Sequence, residues 1–223
     1  MMIYPKNTLD LGAADPLAGG DVVSALLTRG HNLQSAWKAY DAALTSVAKL
    51  LQGRADAQFS GLAAAAMAHA VSQLGVVETA PGDNAGPEIE AYLASIGLEA
   101  GYAWRAAFVH WCFGRAAEAA VVQNPFPRTA GCLEAWNMTP PARRISRARA
   151  ILNPELVRPG LIFVVDLGAG AGHAGFVRRV AGGALTTIEC ALDPRGGDGA
   201  FGVFELTRRN VMDRTLKGFL DFG

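Results

Sequence analysis

Apolar residues recur at helical spacing through the first part of the chain. The clearest stripe covers 33–51, where apolar side chains return every three or four residues and predict an amphipathic helix. An alanine-rich helix is predicted over 58–74, a short one over 88–96, and a longer one over 104–122. The first half is therefore predicted to be helical.

The pattern changes after Pro159-Gly160. Short apolar stretches, separated by glycine-rich turns, predict strands at 161–165, 173–180, 185–189 and 203–207. Helices followed by an antiparallel meander predict an α+β fold.

Composition and charge exclude several classes of protein. The chain has 223 residues, 51% of them hydrophobic, which suffices for one domain plus an appendage and argues against disorder. Lys+Arg and Asp+Glu both number 20, so no broad basic surface for nucleic acid is expected. No apolar run is long enough to predict a membrane span. The first residues, 1–6, do not have the pattern of a conventional secretory signal.

The three cysteines, Cys112, Cys132 and Cys190, are widely spaced and odd in number. This argues against a disulfide framework and against a zinc site, so each is expected to be a small buried hydrophobe. No metal and no cofactor is predicted.

The residues that could carry chemistry stand in a specific order. A helix is predicted to begin at Trp104-Arg105, a strand begins at His173 and the next strand ends at Glu189. A cysteine hydrolase needs a thiolate at a helix N-terminus, a base to maintain it and a polar group that orients the base. The order of the segments suits such a site, but no cysteine stands at the helix start.

The stretch from about Leu62 to Arg209 resembles a CHAP-type or related NlpC-type peptidoglycan hydrolase, of a subgroup found in phage and secretion-associated proteins. The segments that carry the resemblance are Gln73-Leu74-Gly75-Val76, Gly82-Asp83-Asn84-Ala85-Gly86-Pro87, the Trp104 helix, Thr129-Ala130 with Trp136, Pro159-Gly160-Leu161-Ile162-Phe163, His173-Ala174-Gly175-Phe176-Val177 and Thr186-Thr187-Ile188-Glu189. The resemblance implies a papain-like fold and cleavage of amide bonds in peptidoglycan without a metal. It also implies a domain over 57–223, which leaves 1–56 as an N-terminal helical extension.

The resemblance assigns roles to single residues. It makes His173 and Glu189 the catalytic base and its orienting group, and it puts the family's nucleophilic cysteine at Arg105. A polar residue often found two positions after the glutamate falls on Ala191, and Cys190 stands where glycine is expected. These departures look like decay or repurposing of the site.

Neither of two nearby cysteines fits as a displaced nucleophile. Cys112 lies about 10 Å further along the helix, at about 1.5 Å per residue. Cys190 follows Glu189 on a strand, so its side chain is expected to point to the opposite face.

Arg105 itself needs a reason to be at a helix start, where a cation is unfavourable by about 0.3–1 kcal/mol. We predict that Arg105 pairs with Glu189 or fills the former cleft, and that its charge lowers the pKa of His173.

Three further residues are candidates for substrate binding: Asn84, Trp104 and Trp136. Either tryptophan could line a sugar or peptide groove, or it could be packed in the core.

Two functions remain open. The first is a degenerate, catalytically inactive relative of a cell-wall hydrolase, retained for binding peptidoglycan fragments or for assembly with a phage-tail or secretion-system protein. The alternative is an active peptidoglycan amidase or endopeptidase with a displaced or engineered-away nucleophile. Either implies synthesis in the cytoplasm and export by a non-standard route to the periplasm, the cell wall or a virion-like particle.

Overall fold

The computed structural model describes residues 61–192 and 201–223, together with helical residues at 35, 37–40 and 42–46. The chain divides into two units, Met1–Gly53 and Arg54–Gly223. The described residues of the first unit lie within the predicted 33–51 helix; the rest of that prediction, the N-terminal residues and the predicted glycine turn at 196–199 lie outside the described residues.

The second unit contains five described helices and six described strands. The helices are α1 (61–72), α2 (Pro87–Ile96), α3 (Arg105–Ala120), α4 (Cys132–Met138) and α5 (Arg147–Leu152). The strands are β1 (Arg144–Ser146), β2 (Ile162–Gly168), β3 (Ala171–Ala181), β4 (Ala184–Leu192), β5 (Phe201–Asn210) and β6 (Leu216–Leu220). Short 3-10 turns lie at Pro141–Arg143 and Pro154–Leu156.

The strands form one antiparallel sheet in the order β1-β6-β2-β3-β4-β5. The α+β class predicted from the sequence is confirmed. The four predicted strands are present and longer than predicted, whereas β1 and β6 were not predicted. β1 has only three residues in a basic stretch, and Lys217 and Gly218 interrupt the apolar pattern of β6.

Side chains alternate between the two faces of the sheet, as strand geometry requires. One face packs on the helices and includes Ile162, Val164, Ala174, Phe176, Ile188, Cys190 and Val203. The opposite face includes Phe163, Val165, Val177, Leu185 and Phe219, packed with residues of β1 and α5. His173 is paired with Val165, and Glu189 with Gly175, so both belong to this second face.

Aromatic contacts fix α3 against β3. The ring of Phe176 is stacked with Phe113 at 5.8 Å between centroids and meets Phe108 edge-on at 6.2 Å. All three side chains are fully buried, and each contributes about 1.5–3 kcal/mol by leaving water. This packing holds the start of α3 near the ends of the central strands. None of the helices described is long and apolar enough to cross a membrane.

Candidate functional site

His173 and Glu189 form a buried hydrogen-bonded pair across β3 and β4. His173 Nε2 lies 2.5 Å from Glu189 Oε2. Gly175 is the register partner of Glu189, and a Cβ on Gly175 would lie 2.9 Å from the Glu189 Cβ and 2.6 Å from the Ile188 carbonyl oxygen. The absence of a side chain at position 175 therefore allows the β4 backbone and the Glu189 Cβ to lie this close to β3.

Glu189 is fully buried and has several donors. Arg209 donates from Nε at 3.0 and 3.1 Å to the two carboxylate oxygens and also from a terminal nitrogen. Thr187 Oγ1 donates at 2.8 Å, and a terminal nitrogen of Arg208 lies 3.5 Å away. Burial raises the pKa of Glu189, but the hydrogen bonds from His173 and Arg209 outweigh burial and bring the pKa to about 2. Glu189 is therefore ionised at neutral pH.

His173 is held in its neutral form. Burial lowers its pKa from 6.5, the hydrogen bond and charge of Glu189 oppose that effect, and the charges of Arg209 and Arg105 lower the pKa further. Because the Glu189 carboxylate only accepts, the imidazole hydrogen is on Nε2 and Nδ1 carries a lone pair. No described residue bonds Nδ1, so the imidazole retains a free basic atom.

Arg105 is the first residue of α3, and its guanidinium lies over the Phe201 ring, 5.5 Å from the centroid. The predicted ion pair with Glu189 is wrong. Within the described part of the chain, the cations that reach Glu189 come from the neighbouring strand: Arg209 bonds both carboxylate oxygens, and Arg208 lies 3.5 Å from one of them. The lowering of the His173 pKa by Arg105 is as predicted, although burial is the larger cause.

Arg105 lines two adjoining cavities of about 230 and 210 Å³. Both cavities also share Cys190 and Phe201. The remaining residues of the larger cavity are Glu78, Gly82, Asn84, Ala103 and Trp104. Those of the smaller cavity are Val165, Leu167, His173, Ala191, Leu192, Arg208 and Arg209. Arg105 therefore lies in the wall of two open cavities and does not fill them, contrary to the second half of its prediction.

The three predicted substrate-binding residues have different surroundings. Trp104 is 2% exposed and donates its indole hydrogen to Glu78 Oε1 at 2.9 Å, so it is a core residue whose edge borders the larger cavity. Asn84 borders the same cavity. Trp136 is buried in the helical core, close to the guanidinium of Arg144, and lines neither of these two cavities.

The three cysteine thiols are free and buried. Burial raises the pKa of Cys132 to about 11 and raises those of Cys112 and Cys190 well above the ordinary value. Cys190 borders both cavities but packs with the helical core, on the face opposite to Glu189, as its strand position predicts. A raised pKa makes each thiol a poor nucleophile at neutral pH. Among the described residues, no group of three or more His, Cys, Asp and Glu side chains is arranged to bind a metal ion.

Sequence reasoning missed several residues of the site. Thr187 stands two positions before Glu189 on the same strand, so the two-residue period could have identified it. Arg209 could not be identified in this way, because the register of β4 and β5 shifts between Leu185 and Thr187. Glu78 lies in the loop before α2, where no periodic pattern indicates its contact with Trp104.

No protein-family model matches the chain, and the comparisons with curated proteins and with solved structures give no match.

Proposed function

We propose that this protein is a degenerate, catalytically inactive relative of a papain-like peptidoglycan hydrolase, retained for binding peptidoglycan fragments or for assembly in a phage-like or secretion system. The observation that carries the proposal is the combination of a buried His173–Glu189 pair with Arg105 at the start of α3, on the cavity that His173 lines. The pair is the part of a hydrolase site that prepares the nucleophile. Arg105 cannot replace the cysteine as a nucleophile, because a guanidinium only donates hydrogen bonds.

The chemistry of the pair supports a hydrolase ancestry. A neutral imidazole, oriented by an ionised carboxylate and with a free Nδ1, is the arrangement that activates a thiol in a cysteine hydrolase. A buried pair made only for stability would not need to border a cavity. A protein that lost catalysis but kept binding would retain the His173–Glu189 pair and lack the nucleophile.

The thiols argue against the alternative of an active amidase or endopeptidase with a displaced nucleophile. Such an enzyme needs an accessible thiolate within hydrogen-bond reach of the base. Cys112, Cys132 and Cys190 are buried and their pKa values are raised by burial. The inactive function is therefore the better supported of the two.

Retention of binding is tested by co-sedimentation of the purified protein with peptidoglycan sacculi, with chitin as the matched insoluble control. We expect the protein in the sacculus pellet and not in the chitin pellet. Equal amounts of protein in both pellets would contradict a retained wall-binding function. Assembly with a partner protein would then be the remaining part of the proposed function.

Ancestry is tested by restoring the nucleophile. We expect Arg105→Cys to release peptide from sacculi, and we expect the double variant Arg105→Cys/His173→Ala to release none. Activity in the double variant equal to that of Arg105→Cys would show that His173 does not act as the base.

A further inference from the structure

The smaller cavity concentrates positive charge. Three arginines line it, Arg105, Arg208 and Arg209, and no Asp or Glu is among its described lining residues. Glu189, which pairs with Arg208 and Arg209, is fully buried and does not line the cavity, whereas Glu78 lines the adjoining larger cavity. The described wall of the cavity is therefore cationic.

One carboxylate does not balance these three guanidinium groups. Glu189 is occupied mainly by Arg209, which bonds both of its oxygens. Arg208 approaches Glu189 only at 3.5 Å, and its side chain is 55% exposed. Arg105 makes no ion pair with any residue in the described ranges. Two guanidinium groups at this cavity thus have charge and hydrogen atoms available for an anion.

The contact with Phe201 does not neutralise the charge of Arg105, because an aromatic ring carries no net charge. The start of α3 adds unpaired backbone N–H groups of the same polarity, since no side chain caps this helix. Both features favour an anion in front of Arg105.

Apart from His173, the remaining described wall of the cavity is mainly apolar. Val165, Leu167, Ala191 and Leu192 line it, and Leu167 and Leu192 are exposed. A small inorganic anion would leave these apolar side chains in contact with water. A ligand with a carboxylate next to a small aliphatic group would contact both parts of the wall.

We propose that this cavity binds the free carboxylate of a short peptide, with Arg105 and Arg208 as its charged partners and the Leu167 and Leu192 side chains against a small aliphatic terminal residue. A planar guanidinium pairs with a carboxylate through two parallel hydrogen bonds, which gives geometric selectivity as well as charge. The volume of the cavity, about 210 Å³, suits one small residue and its carboxylate. The choice of a peptide rests on the proposed function, whereas the preference for an anion rests on the arginines.

The test is isothermal titration calorimetry with two probes, N-acetyl-D-alanyl-D-alanine and its C-terminal amide. The probes differ only in the carboxylate. We expect the acid to bind about tenfold or more tightly than the amide, in keeping with the strength of hydrogen bonds between charged groups. Acid and amide binding alike, or neither binding, would overturn the proposal.

Three variants locate the site: Arg105→Gln, Arg208→Gln and Arg115→Gln. Arg115 is the matched control, because it is an exposed arginine of the same helix that pairs with Glu118 instead of lining the cavity. We expect the first two variants to weaken binding of the acid about fivefold or more and the control to leave it unchanged. Unchanged circular dichroism spectra verify the fold of each variant, and wild-type affinity in a folded Arg105→Gln would overturn the assignment.

Titration with inorganic phosphate distinguishes a phosphate ligand from a peptide carboxylate. Binding of phosphate that depends on Arg105, without binding of the dipeptide acid, would replace the peptide carboxylate by a phosphate ligand and overturn the proposal. Failure of this site and failure of the proposed function give different results. If the protein is retained on sacculi equally well with and without Arg105, the proposed function stands and the assignment of this site fails. If the dipeptide acid binds but the protein is not retained on sacculi, the site stands and the wall-binding function fails.

Discussion

His173 donates from Nε2 to Oε2 of Glu189 across 2.5 Å, and its second ring nitrogen, Nδ1, is free of the described residues. The Glu189 carboxylate maintains the orientation of the imidazole, and Arg209 and Thr187 hold that carboxylate by hydrogen bonds. A polar pair buried to this degree is stable only while all of its partners are present.

Removing the carboxylate should strongly destabilise the fold. We expect Glu189→Ala to lower the free energy of unfolding by about 3–5 kcal/mol, because it leaves Arg209 partly buried without its counter-ion. The matched control is Glu205→Ala, which removes a more exposed carboxylate paired with Arg178 and Arg179 and should cost about 1 kcal/mol or less. Urea unfolding measures the loss in free energy of unfolding for each variant. Equal losses would mean that the buried carboxylate stabilises the fold no more than the exposed one.

Stability should fall in two steps as the pH is lowered. The pKa of His173 is below 6.5 in the folded protein, so the unfolded chain takes up the proton first and stability falls below about pH 6.5. The slope from one such group is at most about 1.4 kcal/mol per pH unit. The pKa of Glu189 falls from 4.5 to about 2, so its contribution is lost as pH drops through that interval.

The variant His173→Asn isolates the first step. Burial also lowers the pKa of His110, which contributes to acid destabilisation in the same sense. Thermal unfolding between pH 8 and pH 5 should therefore show a shallower loss of stability in His173→Asn than in the unmodified protein. Identical slopes would mean that His173 is not held neutral.

Trp104 should stabilise the fold through its hydrogen bond as well as its packing. We expect Trp104→Phe to cost about 1–3 kcal/mol more than its lost packing alone, because Glu78 Oε1 loses the indole donor in a buried position. Adding Glu78→Gln to Trp104→Phe should cost less than the two single losses combined, as a double-mutant cycle detects. Additive losses would contradict a specific bond between the two side chains.

The cysteines should be inert in the native protein. Burial and raised pKa values lead us to expect no rapid reaction of Cys112, Cys132 or Cys190 with a disulfide reagent at pH 8, and reaction of all three thiols in guanidinium. Arg105→Cys should add one thiol that reacts without denaturant. A rapidly reacting native thiol in the unmodified protein would instead favour the displaced nucleophile.

The sequence predicted those parts of the molecule that follow from local patterns. The apolar spacing located α3 and the strands β2 to β5, and the glycine turn before His173 indicated the start of β3 to within two residues. The cationic partner of Glu189 could not be predicted in the same way. It depended on which arginine the sheet brings to Glu189, and the register shift in β4 and β5 made Arg209 that residue. Lys217 and Gly218 hid β6 for a local reason, since they interrupt its apolar run.

We propose that this site no longer performs hydrolysis, and the decisive measurement is the release of soluble peptide or amino sugar from purified sacculi. The unmodified protein is compared with His173→Ala under identical conditions. We expect the unmodified protein to release no more than His173→Ala does. Release by the unmodified protein that His173→Ala abolishes would overturn the loss of hydrolysis and establish an active hydrolase that uses another nucleophile.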